Sequence, residues 1–220
     1  MAKLKYDVLN LPRVRDERTY CTRSARALRH PMYGWLGIRP VLAQHTAAEH
    51  EAIRRWAAGR SSLVEIGVAE GVSALAAREV MAANGKLYLI DPFHLSRVPS
   101  LNFMKRAAHR AVAGCQRGEV IWLEKFSADA VHGWNKEIDF LLIDGDHSEA
   151  AVRQDWEQWS CYVLPGGIVL FHDARLFENG WTDAGYGPVR VVDDLFRERR
   201  ILGWKIVEEI DSLVVVEKTL

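Results

Sequence analysis

Between Ser62 and Ser73 the chain reads SLVEIGVAEGVS, and this stretch constrains the fold more tightly than any other. Leu63, Val64 and Ile66 form a short apolar run of strand-forming residues. The run breaks at Gly67, and a second glycine, Gly71, follows before a helical pattern in which Val72, Leu75, Ala76 and Val80 share one face. Strand, glycine turn and helix in immediate succession form the opening unit of a doubly wound, mostly parallel α/β sheet with helices on both faces. The glycines let backbone approach a ligand that a side chain would block, although the same turn also serves as a plain structural device.

The loop lacks the third glycine of the G-x-G-x-x-G fingerprint that seats a pyrophosphate on a helix N-terminus. It carries instead two carboxylates, Glu65 and Glu70. These would repel a pyrophosphate but tolerate a cationic ligand such as S-adenosylmethionine, with its sulfonium and ammonium groups. Downstream, KLYLIDPF reads as the second strand of this sheet and places Asp91 at its carboxyl end, where an acid bonds ribose hydroxyls. The same acid could simply open a turn before Pro92. Leu101–Gly114 reads as a helix and EVIWLEKF as a third strand. Ser127 and Asp129 then either cap the short helix 130–134 or, with Ala128, border the adenine.

The fourth strand, IDFLLI, ends in Asp144-Gly145-Asp146-His147, with Ser148 capping a long helix. After a turn at Leu164-Pro165-Gly166-Gly167, IVLF ends in His172-Asp173. Ligands of open parallel sheets sit at the carboxyl ends of the strands, so Asp144, Asp146, His147, His172 and Asp173 should converge above the sheet. Such a cluster could hold Mg²⁺ or, given the histidine, Mn²⁺. His147 has the pKa of a general base, or it orients Asp144 or caps the helix. Trp204–Ile210 and Leu213–Glu217 are too close in sequence for a parallel crossover, which demands an antiparallel hairpin at the C-terminus.

Residues 1–45 read as an extension, packed arm or lid, with a helix near Thr22–Leu28 and a loop over HPMYGWLGIRP. Thr46-x-x-Glu49 is a capping box that opens the first helix of the main domain, residues 46–220. Residues 1–60 hold 12 Lys+Arg against 5 Asp+Glu, while the whole chain is neutral. The basic excess is arginine-rich with few interleaved aromatics, which argues against nucleic acid as a partner. No apolar run approaches the ~18 residues of a membrane span. Three cysteines, Cys21, Cys115 and Cys161, without metal spacing, fit a reducing cytoplasm.

From about Glu49 to Glu217 the chain resembles a Rossmann-like (class I) S-adenosylmethionine-dependent methyltransferase. VEIGVAEGVSALAA is similar to that family's first motif. LLIDGDHSEAAVRQDWEQWSCYVLPGGIVLFHD resembles a subgroup of bacterial small-molecule and sugar O-methyltransferases. The resemblance implies a seven-stranded sheet, mostly parallel, with an antiparallel C-terminal strand. It implies that Glu65, Gly67 and Gly71 surround the methionine part of the cofactor, Asp91 takes the ribose, and Ser127 and Ala128 take the adenine edge. Metal-dependent members bind Mg²⁺ through an acid ending the fourth strand and a pair ending the fifth. Those positions are Asp144, then His172 and Asp173, where the family more often has Asp-Asp, Asp-Asn or Glu-Asp. His147 stands at the offset of the catechol-type base. The expected activity is methyl transfer from S-adenosylmethionine to a hydroxyl of a small molecule, with Asp144 and His147 catalytic. The expected location is the cytoplasm, and a homo-oligomer is compatible with the sequence. A nicotinamide oxidoreductase and a non-catalytic nucleoside-binding accessory protein are the rival readings.

Overall fold

The computed structural model describes residues 6–9, 25–38, 40–94, 101–178 and 180–220. The sheet begins at β3 (Ser62–Ile66) and continues through β4 (Lys86–Ile90), β5 (Glu119–Leu123), β6 (Ile138–Ile143), β7 (Val163–Phe171), β8 (Trp204–Ile210) and β9 (Leu213–Lys218). Its spatial order is β5-β4-β3-β6-β7-β9-β8. All neighbours pair in parallel except β9, which runs antiparallel to both β7 and β8. The chain winds outward from β3 to β5, then returns to lay β6 on the other side of β3. That reversal is the topological switch point, where open sheets bind ligands.

Strand alternation sorts the core into two layers, since successive side chains point to opposite faces. Val64, Ile66, Tyr88, Ile90, Leu141, Ile143, Val169 and Phe171 face one way. They pack on α5 (Ser127–Ala130), α6 (Glu149–Trp159) and α7 (Gly187–Val192), which continues as a π-helix over Asp193–Glu198. Leu63, Leu87, Leu89, Phe140, Leu142, Ile168 and Leu170 face the other way. They pack on α2 (Ala47–Ala57), α3 (Val72–Val80) and α4 (Phe103–Ala113). The near-continuous apolar runs of β3 and β6 follow from burial on both faces.

Several boundaries differ from the sequence reading. The loop expected over HPMYGWLGIRP is largely helix, because α1 spans Ala25–Leu36 and carries Pro31 inside it. Residues 22–24 and Cys21 lie outside the described residues. The turn expected at Leu164–Gly167 is instead an irregularity within β7, where the register against β6 jumps between Ile138 and Phe140. Pro165 has no N–H to give to a ladder, and Gly166 takes a left-handed φ of 75°, so the segment bulges rather than ending the strand. The helix after the third main strand covers only Ser127–Ala130, and neither Ser127 nor Asp129 caps it, since the N-cap is Phe126.

The chain before α2 forms a small parallel pair, β1 (Tyr6–Leu9) with β2 (Val41–Thr46). Thr46 closes β2 and caps α2 in a full capping box. Its side chain accepts from the Glu49 amide at 3.1 Å, and the Glu49 carboxylate accepts from the Thr46 amide at 2.7 Å. Val41 and Ala43 pack on Val72 and Leu75, seating β2 against the helix that follows the glycine turn.

Candidate active site

A cavity of about 800 Å³ opens at the switch point. That volume is within the range of small-molecule sites. The glycine turn, Asp91, Phe93, Ser127, Ala128, Asp144 to His147 and Asp155 line it, together with Leu42, Gln44 and His45 of β2.

Gly67 has φ 86°, and β6 ends directly against it. A Cβ there would lie 2.0 Å from the Asp144 carbonyl oxygen. The glycine therefore serves the joint between two strand ends as well as the cavity, which it also lines. Gly71, φ 80°, starts α3 with Ala108 backbone 3.1 Å from a would-be Cβ. Ala69, Phe93 and Asp173 are non-glycine residues with φ of 47°, 47° and 56°. All three follow carboxyl ends of central strands. Backbone held in this sparsely populated region clusters at functional sites.

The expected cofactor residues do line or underlie the cavity, with distinct roles. Asp91 ties the turn together: Oδ2 accepts from the amides of Val68 at 2.9 Å and Ala69 at 3.2 Å, and Oδ1 from that of Phe93 at 2.7 Å. Glu65 is fully buried beneath the turn, where Ser73 donates to Oε1 at 2.6 Å and Oε2 has no hydrogen-bond partner. Burial pushes its carboxyl up to about 8. Glu70 faces the N-terminal segment, and its Oε2 accepts from the Leu42 amide at 3.0 Å. Ser127 donates to Asp155 Oδ1 at 2.5 Å, and burial pushes the Asp155 carboxyl up to about 6.

Glu70, Asp91, Asp144, Asp146 and Asp155 line the cavity, and among the described lining residues there is neither lysine nor arginine. This donor set fits a cationic cofactor with a sulfonium and an ammonium. It does not fit a pyrophosphate, which would need cations or a third glycine.

Beside the cavity, β6, β7 and the β8–β9 turn bring a charged cluster together. His172 Nδ1 lies 3.0 Å from Asp144 Oδ1 and 3.3 Å from Asp173 Oδ1. His172 Nε2 faces Glu49 Oε2 at 3.5 Å, an ion-pair distance without a hydrogen bond. His147 Nε2 lies 3.5 Å from Asp144 Oδ1 and 3.6 Å from Asp173 Oδ2, and the Tyr186 hydroxyl is 3.3 Å from Nδ1. Burial would lower His172, yet the charges of Asp144 and Asp173 hold it well above the usual imidazole range. Burial likewise opposes the charge on His147, and the facing Asp144 and Asp173 outweigh it and raise its pKa. Asp144, though half-buried, is held below the ordinary carboxylate range by His172 and His147. Asp146 is spent locally, accepting from the Ser148 amide at 2.7 Å at the start of α6.

The metal set expected from the sequence, Asp144, His172 and Asp173, comes together but does not fit a divalent cation. Among the described residues no group of three or more His, Cys, Asp or Glu side chains has metal-holding geometry. Asp173 Oδ1 is taken by Trp181 Nε1–H at 2.6 Å and by the Ser212 hydroxyl at 3.2 Å. Neither His172 nor Asp173 lines the cavity, and each is only 4% exposed.

Sequence reasoning missed Glu49, His45, Trp181 and Tyr186. Glu49 was legible only as a capping acid. His45 is buried on β2, its Nε2 3.0 Å from His50 Nδ1, and burial drives its pKa down to about 3. No local pattern marks either as part of the site.

No helix among the described residues is long and apolar enough to cross a membrane. Solved structures that share the fold include two O-methyltransferases. The O-methyltransferase TomG from Streptomyces achromogenes, involved in tomaymycin synthesis and solved with S-adenosylmethionine, aligns with TM-score 0.61 at 13% identity over 92% of this chain and 93% of that one. The O-methyltransferase from Bacillus cereus, solved with S-adenosylhomocysteine, aligns with TM-score 0.57 at 14% identity over 91% and 94%. A family model described as a methyltransferase domain matches residues 64–174, half of the chain, from the β3 strand through the end of β7. The matched span contains the glycine turn, Asp91, the Asp144–His147 strand end and His172-Asp173, and the chain belongs to this family: it is a Rossmann-like S-adenosylmethionine-dependent methyltransferase.

Proposed function

We propose that this enzyme methylates a hydroxyl of a small molecule, with His147 as the general base. The observation that carries this reading is the placement of His147 on the cavity wall, with Nε2 facing two carboxylates and Nδ1 facing the Tyr186 hydroxyl. In the neutral ring the proton sits on Nε2, where Asp144 accepts it and the Asp173 carboxylate faces it. The Nδ1 lone pair is then the atom that takes the acceptor's proton, directly or through Tyr186. Asp144 fixes this tautomer and stabilises the imidazolium that forms.

S-adenosylmethionine, when bound, supplies a methyl group already activated on a sulfonium. The Gly67–Gly71 turn, supported from beneath by Glu65, would hold its methionine part, Asp91 its ribose, and Ser127 and Ala128 its adenine edge. The chain's task is then alignment and proton removal. A divalent cation has no step in this reading, because the donors described above do not fit one. The O-methyltransferase names of the structural relatives support a hydroxyl acceptor. Pro31, Leu42, Gln44 and His45 also line the cavity, and we read them as part of the wall on the acceptor side.

Calorimetry with S-adenosylmethionine and NAD⁺ side by side tests the cofactor, and binding of the first alone is expected. Transfer of a labelled methyl group to a panel of phenols, sugars and short RNAs tests the acceptor. Label appearing only in RNA would overturn the small-molecule reading.

A further inference from the structure

Three carboxylates crowd one imidazole at the closed end of the site. Glu49 Oε2, Asp144 Oδ1 and Asp173 Oδ1 all lie 3.0–3.5 Å from a nitrogen of His172. Glu49 is 0% exposed, and His172 and Asp173 are 4% exposed. Buried like charges at this density need a counter-charge at their centre. An external divalent cation is one way to supply it.

We infer that the His172 side chain, clamped from behind by Glu49, stands in this chain where metal-dependent members would hold a divalent cation, so that the site is assembled without metal. The clamp is built from distant segments. Glu49 comes from the first turn of α2, where Oε2 also accepts from the Thr46 amide. Its Oε1 accepts from the amide and hydroxyl of Ser212, in the turn between β8 and β9, at 2.7 and 2.6 Å. The Ser212 hydroxyl also reaches Asp173 Oδ1, at 3.2 Å. Glu49 Oε1 and Asp173 Oδ1 are thus held by protein donors, and the ring fills the space between the three carboxylates. Of Glu49, Asp144, His172 and Asp173, only Asp144 lines the cavity. Glu49 and His172 are positioning residues: they hold Asp144, which in turn faces His147.

The test uses the full-length protein and metal ions alone, independent of any methyl acceptor. Wild type titrated with MnCl₂ or MgCl₂ in a calorimeter should give no stoichiometric binding, and its melting temperature should not move with Mn²⁺ or EDTA. His172→Asp removes the internal cation and leaves four carboxylates. It should melt lower in EDTA and regain stability with Mn²⁺, binding one ion per chain. Wild type that binds one Mn²⁺ and loses thermal stability on chelation would overturn the inference. So would a folded His172→Asp protein with no response to Mn²⁺, since the vacated space would then not be a cation's. If His172→Asp is insoluble, the wild-type titration decides the question. Failure of the hydroxyl-methylation reading leaves these readouts untouched.

Discussion

Glu49 and Ser212, 163 residues apart, share two hydrogen bonds: both the amide and the hydroxyl of Ser212 donate to Glu49 Oε1. Both residues are 0% exposed. The pair ties the N-terminal turn of α2 to the β8–β9 hairpin directly behind Asp173. Ser212→Ala keeps the amide bond but strips a donor from both Glu49 and Asp173. It should cost about 1–3 kcal/mol, the penalty for leaving buried acceptors short of a partner, and urea denaturation would show it. A variant as stable as wild type would mean that the network is not what joins these segments.

His147→Ala should lower turnover roughly 10²–10⁴-fold, the usual range for a general base, with S-adenosylmethionine affinity nearly intact. His147→Gln, which keeps polarity but cannot take the proton, should be almost as poor. The base must be neutral, and the facing carboxylates of Asp144 and Asp173 raise its pKa. The rate should therefore climb as pH rises through a value above the ordinary imidazole range and then level off. A glutamine variant with wild-type turnover and an unchanged profile would reduce His147 to a spacer.

Asp155 is 4% exposed and its carboxyl is pushed up to about 6 by burial, against an ordinary 3.8. The folded state holds this proton more tightly than the unfolded state. Its contribution to stability is therefore full below the ordinary value, is lost as pH rises from about 4 to about 6, and is flat above. Asp155→Asn keeps an acceptor for the Ser127 hydroxyl and removes the ionisation. It should raise stability at pH 8 by up to about 3 kcal/mol, the equivalent of two pKa units. At pH 4 it should change little. Thermal melts across pH would read the difference, and equal effects at both ends would refute the assignment.

Gly67 and Gly59 both have positive φ, yet they should respond very differently to alanine. At Gly59 an added Cβ meets nothing within 4 Å, so only the left-handed backbone costs, about 1–2 kcal/mol. At Gly67 the Cβ would be driven into the Asp144 backbone, separating β3 from β6 at the switch point. Gly67→Ala should lose soluble protein or cofactor binding outright, while Gly59→Ala keeps both, as expression and calorimetry would show.

Glu70→Ala should uncouple β2 from the glycine turn, because the Leu42 amide loses its acceptor. Hydrogen exchange at Leu42 and its neighbours should speed up while the central strands stay protected. Unchanged exchange in β2 would show that packing of Val41 and Ala43 on α3 alone seats the strand.

Much of the architecture was legible in the residues themselves. The 2-residue alternation and apolar runs of β3, β4, β6 and β7, the Gly67–Gly71 turn, the capping box at Thr46 and the short connection at Asp211-Ser212 are local signals. A strand's period, a cap and a hairpin each arise from chemistry within a few residues. The acids at strand ends were readable for the same reason, since a parallel sheet must deliver Asp91, Asp144 and Asp173 to one edge. What the sequence could not decide was partnership. Glu49 reads as an ordinary capping acid until β8 and β9 bring Ser212 to it. His172 reads as a metal ligand until Glu49 and Asp144 are found on opposite sides of its ring. His45 carries no motif at all and enters the site only because β2 packs against α3. Pro31 reads as a helix breaker, yet it lies within α1. Distances between residues remote in the chain follow from how layers pack, and only the tertiary structure sets whether a cluster of acids surrounds a space for an ion or a side chain that already fills it.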